Sequence, residues 1–305
     1  MSELENIEKY REAGIIARKI KKEILDSLVT PGRKLVEIAN KIESIIKDSG
    51  GKIAFPVNIC IDSVAAHYTP LINEETVVPA DKIIKVDFGI HVDGYPVDNA
   101  VSFYFGDDED LKEMILTAKE AVNLAITEFK PGRVLSEIGS IIEDFVKEKG
   151  YKVIENLNGH LLTQYELHGE KEVPVSSKIK SPGKIEKGEV YAIEVFVTKG
   201  AGWAKSSDDI RIYSALSKLP KRLPIHVRSA RNLLNFIVRE FKTFPFTVRW
   251  LSGKFGDAEI RVGIATLSSM GILIPYPVLV EKENMAVAQY EDCLLYTSPS
   301  PRDRG

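Results

Sequence analysis

The chain contains one segment twice. "PGRKLVEIANKIESIIKDSGG" begins at Pro31 and "PGRVLSEIGSIIEDFVKEKGY" begins at Pro131, and the two align without a gap. Each joins a Pro-Gly-Arg turn to an amphipathic helix that runs to a glycine, Gly50 or Gly150. A unit of this length, present twice, predicts two pseudo-symmetric halves of one domain, because a solenoid needs shorter and more numerous units. Chance similarity of two amphipathic helices is the alternative, and the shared turn tripeptide counts against it.

The surrounding pattern predicts an α+β fold. Apolar periodicity indicates helices over 4–28, 33–48, 109–129 and 133–149, and strands over 53–61 and 83–105. Each half therefore contains two helices, a histidine-bearing stretch and a strand with a buried acid. The pattern changes over 205–278, which we interpret as a helical insertion subdomain in a catalytic domain formed by 1–204 and 279–292.

Composition limits the kind of partner. The 305 residues carry 41 basic and 44 acidic side chains, interspersed, for a formal net charge of -3. No basic field large enough for a nucleic acid or a membrane surface stands out, so a small molecule or a peptide is the expected partner. Two cysteines and an N-terminus that is charged from its third residue favour a cytoplasmic, disulfide-free protein.

Two aspartates interrupt the strand-like segment 84–103, "IKVDFGIHVDGYPVDNAVSF". A hairpin that turns at Asp93-Gly94 places Asp87 and Asp98 on the same face as diagonal neighbours, about 7 Å apart. Two such acids repel each other unless a cation or a shared proton lies between them. Two solvent-facing acids on an edge hairpin are the alternative that this segment alone leaves open.

Five further side chains lie in contexts that suggest chemistry: Glu194 in "YAIEVF", Glu291 in "AVAQYED", His160 in "NLNGHLL", His67 in "AAHYTP" and His168 in "YELHG". Acids inside strands rarely stay buried without a partner. Each histidine taken singly is more often a surface or hydrogen-bonded core residue. Two Asp, two Glu and one His together suit a pair of divalent ions such as Mn, Fe, Co or Zn.

These residues belong to a wider resemblance. The stretches "FPVNICIDSVAAHYTP", "KVDFGIHVDGYPVD", "NLNGHLLTQYELHG", "YAIEVFVTKGAG", "ARNLLNFIVREFKTFPFTVRWL" and "PYPVLV...AQYED" closely resemble methionine aminopeptidases of type 2 in their short archaeal form. The resemblance runs from the first helix to Asp292. It implies the pita-bread fold, with two pseudo-symmetric halves of helices packed on curved antiparallel strands. The helical insertion is what separates type 2 from type 1 enzymes.

The resemblance also implies a set of functional residues. Its metal ligands fall on Asp87, Asp98, His160, Glu194 and Glu291, with Asp98 and Glu291 bridging two divalent ions (Co, Mn, Fe or Zn). Glu194 would also shuttle a proton. His67 would hydrogen-bond the scissile amide or its oxyanion, and His168 would position the substrate. Phe55 and Ile212 would line the methionine pocket.

The activity implied is removal of the N-terminal methionine from peptides and nascent chains, with a small second residue preferred. A cytoplasmic monomer that meets its substrates at the ribosome is the family's habit. Prolidase or X-Pro aminopeptidase, and a non-catalytic pita-bread binding protein, are the competing interpretations. Residues 293–305 depart from the family and resemble non-native sequence, so we expect the strand that carries Glu291 to be weakened beyond Asp292.

Overall fold

The computed structural model describes residues 3–219 and 226–295, and it arranges them on two antiparallel sheets of eight and four strands. The helices of the insertion pack in a separate core, and the helices of the two halves pack on one face of the larger sheet. Ile193 and Val195, which flank Glu194 in one strand, belong to the apolar core under these helices, so the acid between them points to the opposite face. Within the described ranges, no helix combines the length and apolar character needed to cross a lipid bilayer.

The first half of the chain supplies three helices and four strands. These are α1 (Glu3–Lys19), α2 (Leu25–Leu28), α3 (Leu35–Asp48), β1 (Lys52–Ile61), β2 (Val64–Ala66), β3 (Ile84–Val92) and β4 (Tyr95–Phe103). A π-helical turn, Ile20–Ile24, links α1 to α2. Helix α3 forms because Ile38, Ile42 and Ile46 recur on one side and are fully buried. The predicted helix pair and the predicted hairpin are confirmed.

The second half repeats this plan. It contains α4 (Glu109–Glu128), α5 (Leu135–Glu148), β5 (Lys152–Val153), β6 (Gly159–Leu162), β7 (Glu172–Val173) and β8 (Val190–Thr198). Its apolar core is separate from that of the first half, and each core lies under its own helix pair.

The duplicated turn makes the same contact in both halves. Gly32 and Gly132 both take positive φ, +82° and +87°, which side chains disfavour and which explains the repeated glycine. The backbone N–H of Gly32 donates to Val78 O at 2.8 Å, and that of Gly132 donates to Ile185 O at 2.8 Å. The sequence repeat is therefore a repeat in three dimensions.

The predicted insertion contains more strand than its sequence pattern indicated. It comprises β9 (Ala204–Ala215), α6 (Arg228–Glu240), β10 (Phe246–Thr247), a 3-10 turn (Val248–Trp250), α7 (Asp257–Ser269) and β11 (Leu273–Glu281). The smaller sheet runs β10-β9-β11-β2, so a strand of the first half closes it. Strand β9 is half exposed and polar, which concealed it from a search for apolar runs, whereas β11 is an apolar run that Pro275 and Pro277 interrupt. Residues 220–225 lie outside the described residues.

The last described strand, β12 (Val287–Leu295), occupies the middle of the larger sheet. The strand order is β1-β3-β4-β12-β8-β6-β7, so β12 joins the two halves. Contrary to the expected weakening after Asp292, pairing continues through Cys293, Leu294 and Leu295, which lie opposite Ala192, Tyr191 and Val190 of β8. These three apolar side chains are compatible with a strand. The remainder of the segment 293–305, from residue 296, lies outside the described residues.

Candidate metal centre

The β3–β4 hairpin has the predicted register. Asp87 lies opposite Ala100, and Asp98 lies opposite Gly89. Both carboxylates consequently extend from the face that the helices leave uncovered, and their directly opposite neighbours are small. Gly89 must stay small for a second reason, because a Cβ there would collide with the ring of Phe55.

The central strand β12 adds the acid that completes the group. Glu291 lies opposite Ala100 of β4 on one side and opposite Glu194 of β8 on the other. On β6, His160 pairs with Ala192, which precedes Glu194 by two positions and therefore shares its face. Five sequence-predicted residues accordingly line one cavity of about 260 Å³: Asp87, Asp98, His160, Glu194 and Glu291.

The geometry of these side chains fits a metal site. Ligand atoms of Asp98, His160 and Glu291 lie within 4.8 Å of one another, and His160 Nε2 is 3.8 Å from Asp98 Oδ2. Asp87 Oδ1, Asp98 Oδ1 and Glu291 Oε1 are buried without a hydrogen-bond donor among the described residues. Buried carboxylate oxygens normally have a partner, so these oxygens require a cation or a proton. Carboxylates with one imidazole are a donor set for divalent ions.

Burial raises the pKa of every acid in the group. It raises the pKa of Asp87 to about 7 and that of Glu194 well above its usual range. For Asp98 and Glu291, burial is again the largest cause, and the charges of neighbouring carboxylates raise the pKa further. Burial lowers the pKa of His160, which keeps the imidazole neutral and able to bind a metal. A bound cation would favour the charged carboxylates that the empty protein disfavours.

Asn58 is a member of the site that the sequence analysis missed. It lies opposite Asp87 in the β1–β3 pairing, is 3% exposed, and donates from Nδ2 to Asp87 Oδ2 at 3.1 Å. This contact occupies one carboxylate oxygen and leaves Oδ1 for another partner. A polar residue inside the apolar run "FPVNICI" was the available signal.

His67 lies at the cavity wall in a strained conformation. Its φ is +64°, a region that non-glycine residues seldom occupy and that is frequent at functional sites. Its Nδ1 lies 3.1 Å from Pro277 O, a carbonyl that can only accept, so Nδ1 carries the proton. Burial lowers the pKa of His67 to about 4, and the ring is neutral at pH 7. Its Nε2 is therefore a hydrogen-bond acceptor.

His168 lies at the same cavity, with its ring centroid 4.4 Å from that of His160. Burial lowers the pKa of His168, so this ring too is neutral at pH 7. The structure thus gathers both predicted non-ligand histidines at the site.

Apolar side chains from both halves and from the insertion enclose the rest of the cavity. Phe55 and Ile212, the predicted pocket residues, both line it. Leu167, Phe196 and Tyr276 join them and were not identified from sequence, because a pattern along the chain does not show which apolar side chains line a shared cavity.

Comparisons with known proteins agree with this geometry. The profile of metallopeptidase family M24 matches residues 8–215. The methionine aminopeptidase of Pyrococcus abyssi is 38% identical over 295 residues, covering 97% of this chain and 98% of the relative. That of Methanocaldococcus jannaschii is 37% identical and covers 97% of each chain.

Solved structures share the fold. A thermophilic Arx1 superposes with a TM-score of 0.84 at 19% identity, covering 97% of this chain and 89% of that one. Methionine aminopeptidase from Thermotoga maritima gives 0.68 at 20% identity, with 96% and 93% covered. Prolidase from Pyrococcus furiosus gives 0.56 at 25% identity and covers only 63% of this chain and 56% of its own. The chain belongs to metallopeptidase family M24 and, within it, to the methionine aminopeptidases.

Proposed function

We propose that this protein hydrolyses the first peptide bond of peptides and nascent chains that begin with methionine. The observation that carries the proposal is the convergence of Asp87, Asp98, His160, Glu194 and Glu291 on one buried face, beside an apolar cavity. We further propose that these five residues hold two divalent ions, of Co, Mn, Fe or Zn. Four carboxylates supply four negative charges when ionised, which two divalent cations balance.

The metal, when bound, supplies Lewis acidity that polarises the scissile carbonyl and makes a water acidic enough to attack it near neutral pH. The chain's own residues do the rest. Asp98 and Glu291 are the proposed bridging ligands. Glu194 lines the same cavity and lies opposite Glu291, and we propose that it accepts a proton from the attacking water and returns it to the departing amine.

The tautomer of His67 supports one of the two roles that the resemblance allowed. Because Nδ1 donates to Pro277 O, Nε2 presents a lone pair to the cavity. We propose that this lone pair accepts from the N–H of the scissile amide, since an oxyanion needs a donor. His168 is the remaining candidate for contact with the carbonyl oxygen.

The lining supports the choice of substrate. Phe55, Leu167 and Ile212 offer an apolar wall suited to an unbranched side chain such as methionine. Tyr276 packs edge-on to His67, with ring centroids 5.5 Å apart. Its ring also lines the cavity and takes up space beside His67, which supports a small second residue. We also propose a cytoplasmic monomer that acts at the ribosome.

The test is hydrolysis of a Met-Gly-Met peptide. Activity should disappear on chelation, return with Mn or Co, and fall when the peptide is N-acetylated or carries leucine second. His67→Ala should lower kcat by on the order of 100-fold with the metal content unchanged, because the scissile amide loses the group that positions it. Turnover of X-Pro dipeptides in preference to Met-Gly-Met would support a prolidase instead. No turnover of either, with full metal loading, would support a binding protein.

A further inference from the structure

A second cavity, of about 290 Å³ and open to solvent on one side, lies between the insertion and the edge of the larger sheet. Phe241, Phe244 and Trp250 form its apolar wall, and His91 on β3 forms part of its floor. Among the described residues, none lines both this cavity and the candidate metal centre. A concave apolar pocket with a few convergent polar groups is the usual form of a small-molecule site.

His91 presents a hydrogen-bond donor to this cavity. The backbone N–H of Gly94 donates to His91 Nδ1 at 3.1 Å, so Nδ1 carries a lone pair. Burial lowers the pKa of His91 to about 4, the ring is neutral at pH 7, and its proton therefore lies on Nε2. The residue is only 7% exposed, and no acceptor for Nε2 lies in the part of the chain that the structure describes. Nε2 is not among the fully buried atoms, and His91 lines the cavity, so this N–H is available to an acceptor on a ligand there.

The charge at the rim is positive. Lys52 lies directly opposite His91 in the β1–β3 pairing, and Lys47 and Lys254 also line the cavity. None of these three lysines forms a salt bridge with another described residue. Glu240 is the one acid in the described lining, and its carboxylate is 2.9 Å from Arg239. An anion would therefore meet uncompensated positive charge.

We propose that this cavity binds a small planar anion, namely an aromatic ring that carries a carboxylate or phosphate group. The ring packs against Phe244 and Trp250, because aromatic side chains hold planar groups by stacked or edge-on contact. The acid group meets Lys52 and Lys254 at the rim. His91 Nε2–H donates to an acceptor on the ligand. The volume admits one ring system.

Direct binding measurements test this proposal. The chain has two tryptophans, and Trp203 is 45% exposed, so Trp203→Phe leaves Trp250 as the only reporter. Titration of that variant with 2-naphthoate or AMP should quench the fluorescence of Trp250 saturably. The neutral counterparts, 2-naphthamide and adenosine, should bind at least about tenfold more weakly. Preference between 2-naphthoate and AMP distinguishes a carboxylate ligand from a nucleotide.

Substitutions locate the binding. Lys52→Gln combined with Lys254→Gln should weaken naphthoate binding about tenfold at low salt, whereas Lys119→Gln, outside this cavity, should not. His91→Asn should weaken it as well, because the asparagine carbonyl can still accept from Gly94 but its shorter side chain does not bring an N–H to the position of His91 Nε2. Circular dichroism melts check that each variant is folded. The proposal is overturned by non-saturable quenching, by equal affinity for the neutral counterparts, by binding that survives these substitutions, or by displacement with a methionine peptide.

Discussion

A buried ion pair connects the insertion to the first half, and breaking it should loosen the segment that carries His67. Arg249 and Glu43 are 7% and 4% exposed and form two parallel contacts of 2.7 and 2.9 Å. Trp250 Nε1 donates to the same carboxylate at 2.8 Å, and Asn40 Oδ1 accepts from the guanidinium at 2.6 Å. The perturbation is Glu43→Gln, which keeps the shape and removes the negative charge.

The same guanidinium reaches the segment that follows His67. Arg249 Nε donates to Pro70 O at 3.0 Å, and Thr69 Oγ1 donates to Val57 O at 2.8 Å. His67 itself depends on the insertion through Pro277 O. The insertion and the His67 segment therefore share their anchoring contacts.

The magnitude follows from the burial of the pair. Removing one partner of a buried pair leaves an uncompensated charge and lowers the free energy of unfolding by about 3–5 kcal/mol. Because Arg249 keeps its other contacts, we expect Glu43→Gln to cost about 3 kcal/mol. Arg249→Met should cost a similar amount. The double variant Glu43→Gln with Arg249→Met should cost far less than the sum of the two single variants, because no buried charge remains, which gives a coupling energy of about 3 kcal/mol.

Hydrogen exchange and urea unfolding measure this energy. Faster exchange should concentrate in α6 and α7, whose apolar core is separate from those of the two halves. For Met-Gly-Met, kcat should fall more than KM changes, because the loosened segment carries His67. Arg239→Gln, which breaks an exposed contact with Glu240, is the matched control and should change stability by less than about 1 kcal/mol. Additive single substitutions, or an unchanged exchange pattern, would refute the reasoning.

Three further outcomes are expected. Asn58→Leu should weaken divalent-metal affinity about 10–100-fold, measured against a chelating dye, because Asp87 loses the donor that orients it; unchanged affinity would remove Asn58 from the site. Asp98→Asn should raise the melting temperature of metal-free protein, by relieving carboxylate repulsion, and should abolish the stabilisation that added metal gives. Burial lowers the pKa of His91 from 6.5 to about 4, so the unfolded chain binds a proton first, and stability is lost as pH falls between those values. Between pH 7 and pH 4, the free energy of unfolding measured in urea should fall by about 3 kcal/mol less for His91→Asn than for the parent. Equal falls would show that His91 is not the cause of the pH dependence.

The sequence predicted the part of the site that lies within a single hairpin. The turn at Asp93-Gly94 fixes the register of its hairpin, so the shared face of Asp87 and Asp98 followed from counting alone. The pairing of Glu194 with Glu291 could not be obtained in this way. The two residues are far apart in sequence, and their strands become neighbours only because β12 fits between the halves.

The features that sequence missed share a physical cause. Asn58 matters because of the residue across from it on another strand, and a sequence does not display that pairing. Strand β9 of the insertion is half exposed, so its composition resembles that of a polar segment. Strand β12 extends through Leu295 because β8 offers backbone N–H and C=O groups beside it. Apolar residues can pair there whatever the origin of the sequence that follows Asp292.

The central position of β12 has a consequence for biogenesis. The strand that joins the halves is synthesised after every other strand of both sheets, yet its neighbours β4 and β8 flank it on either side. Ala288 of β12 belongs to the apolar core of the second half, and Leu295 packs against that of the first, so both cores are completed only when β12 enters between β4 and β8. Glu291, a proposed metal ligand, arrives with this strand. We therefore expect activity only after β12 has been synthesised.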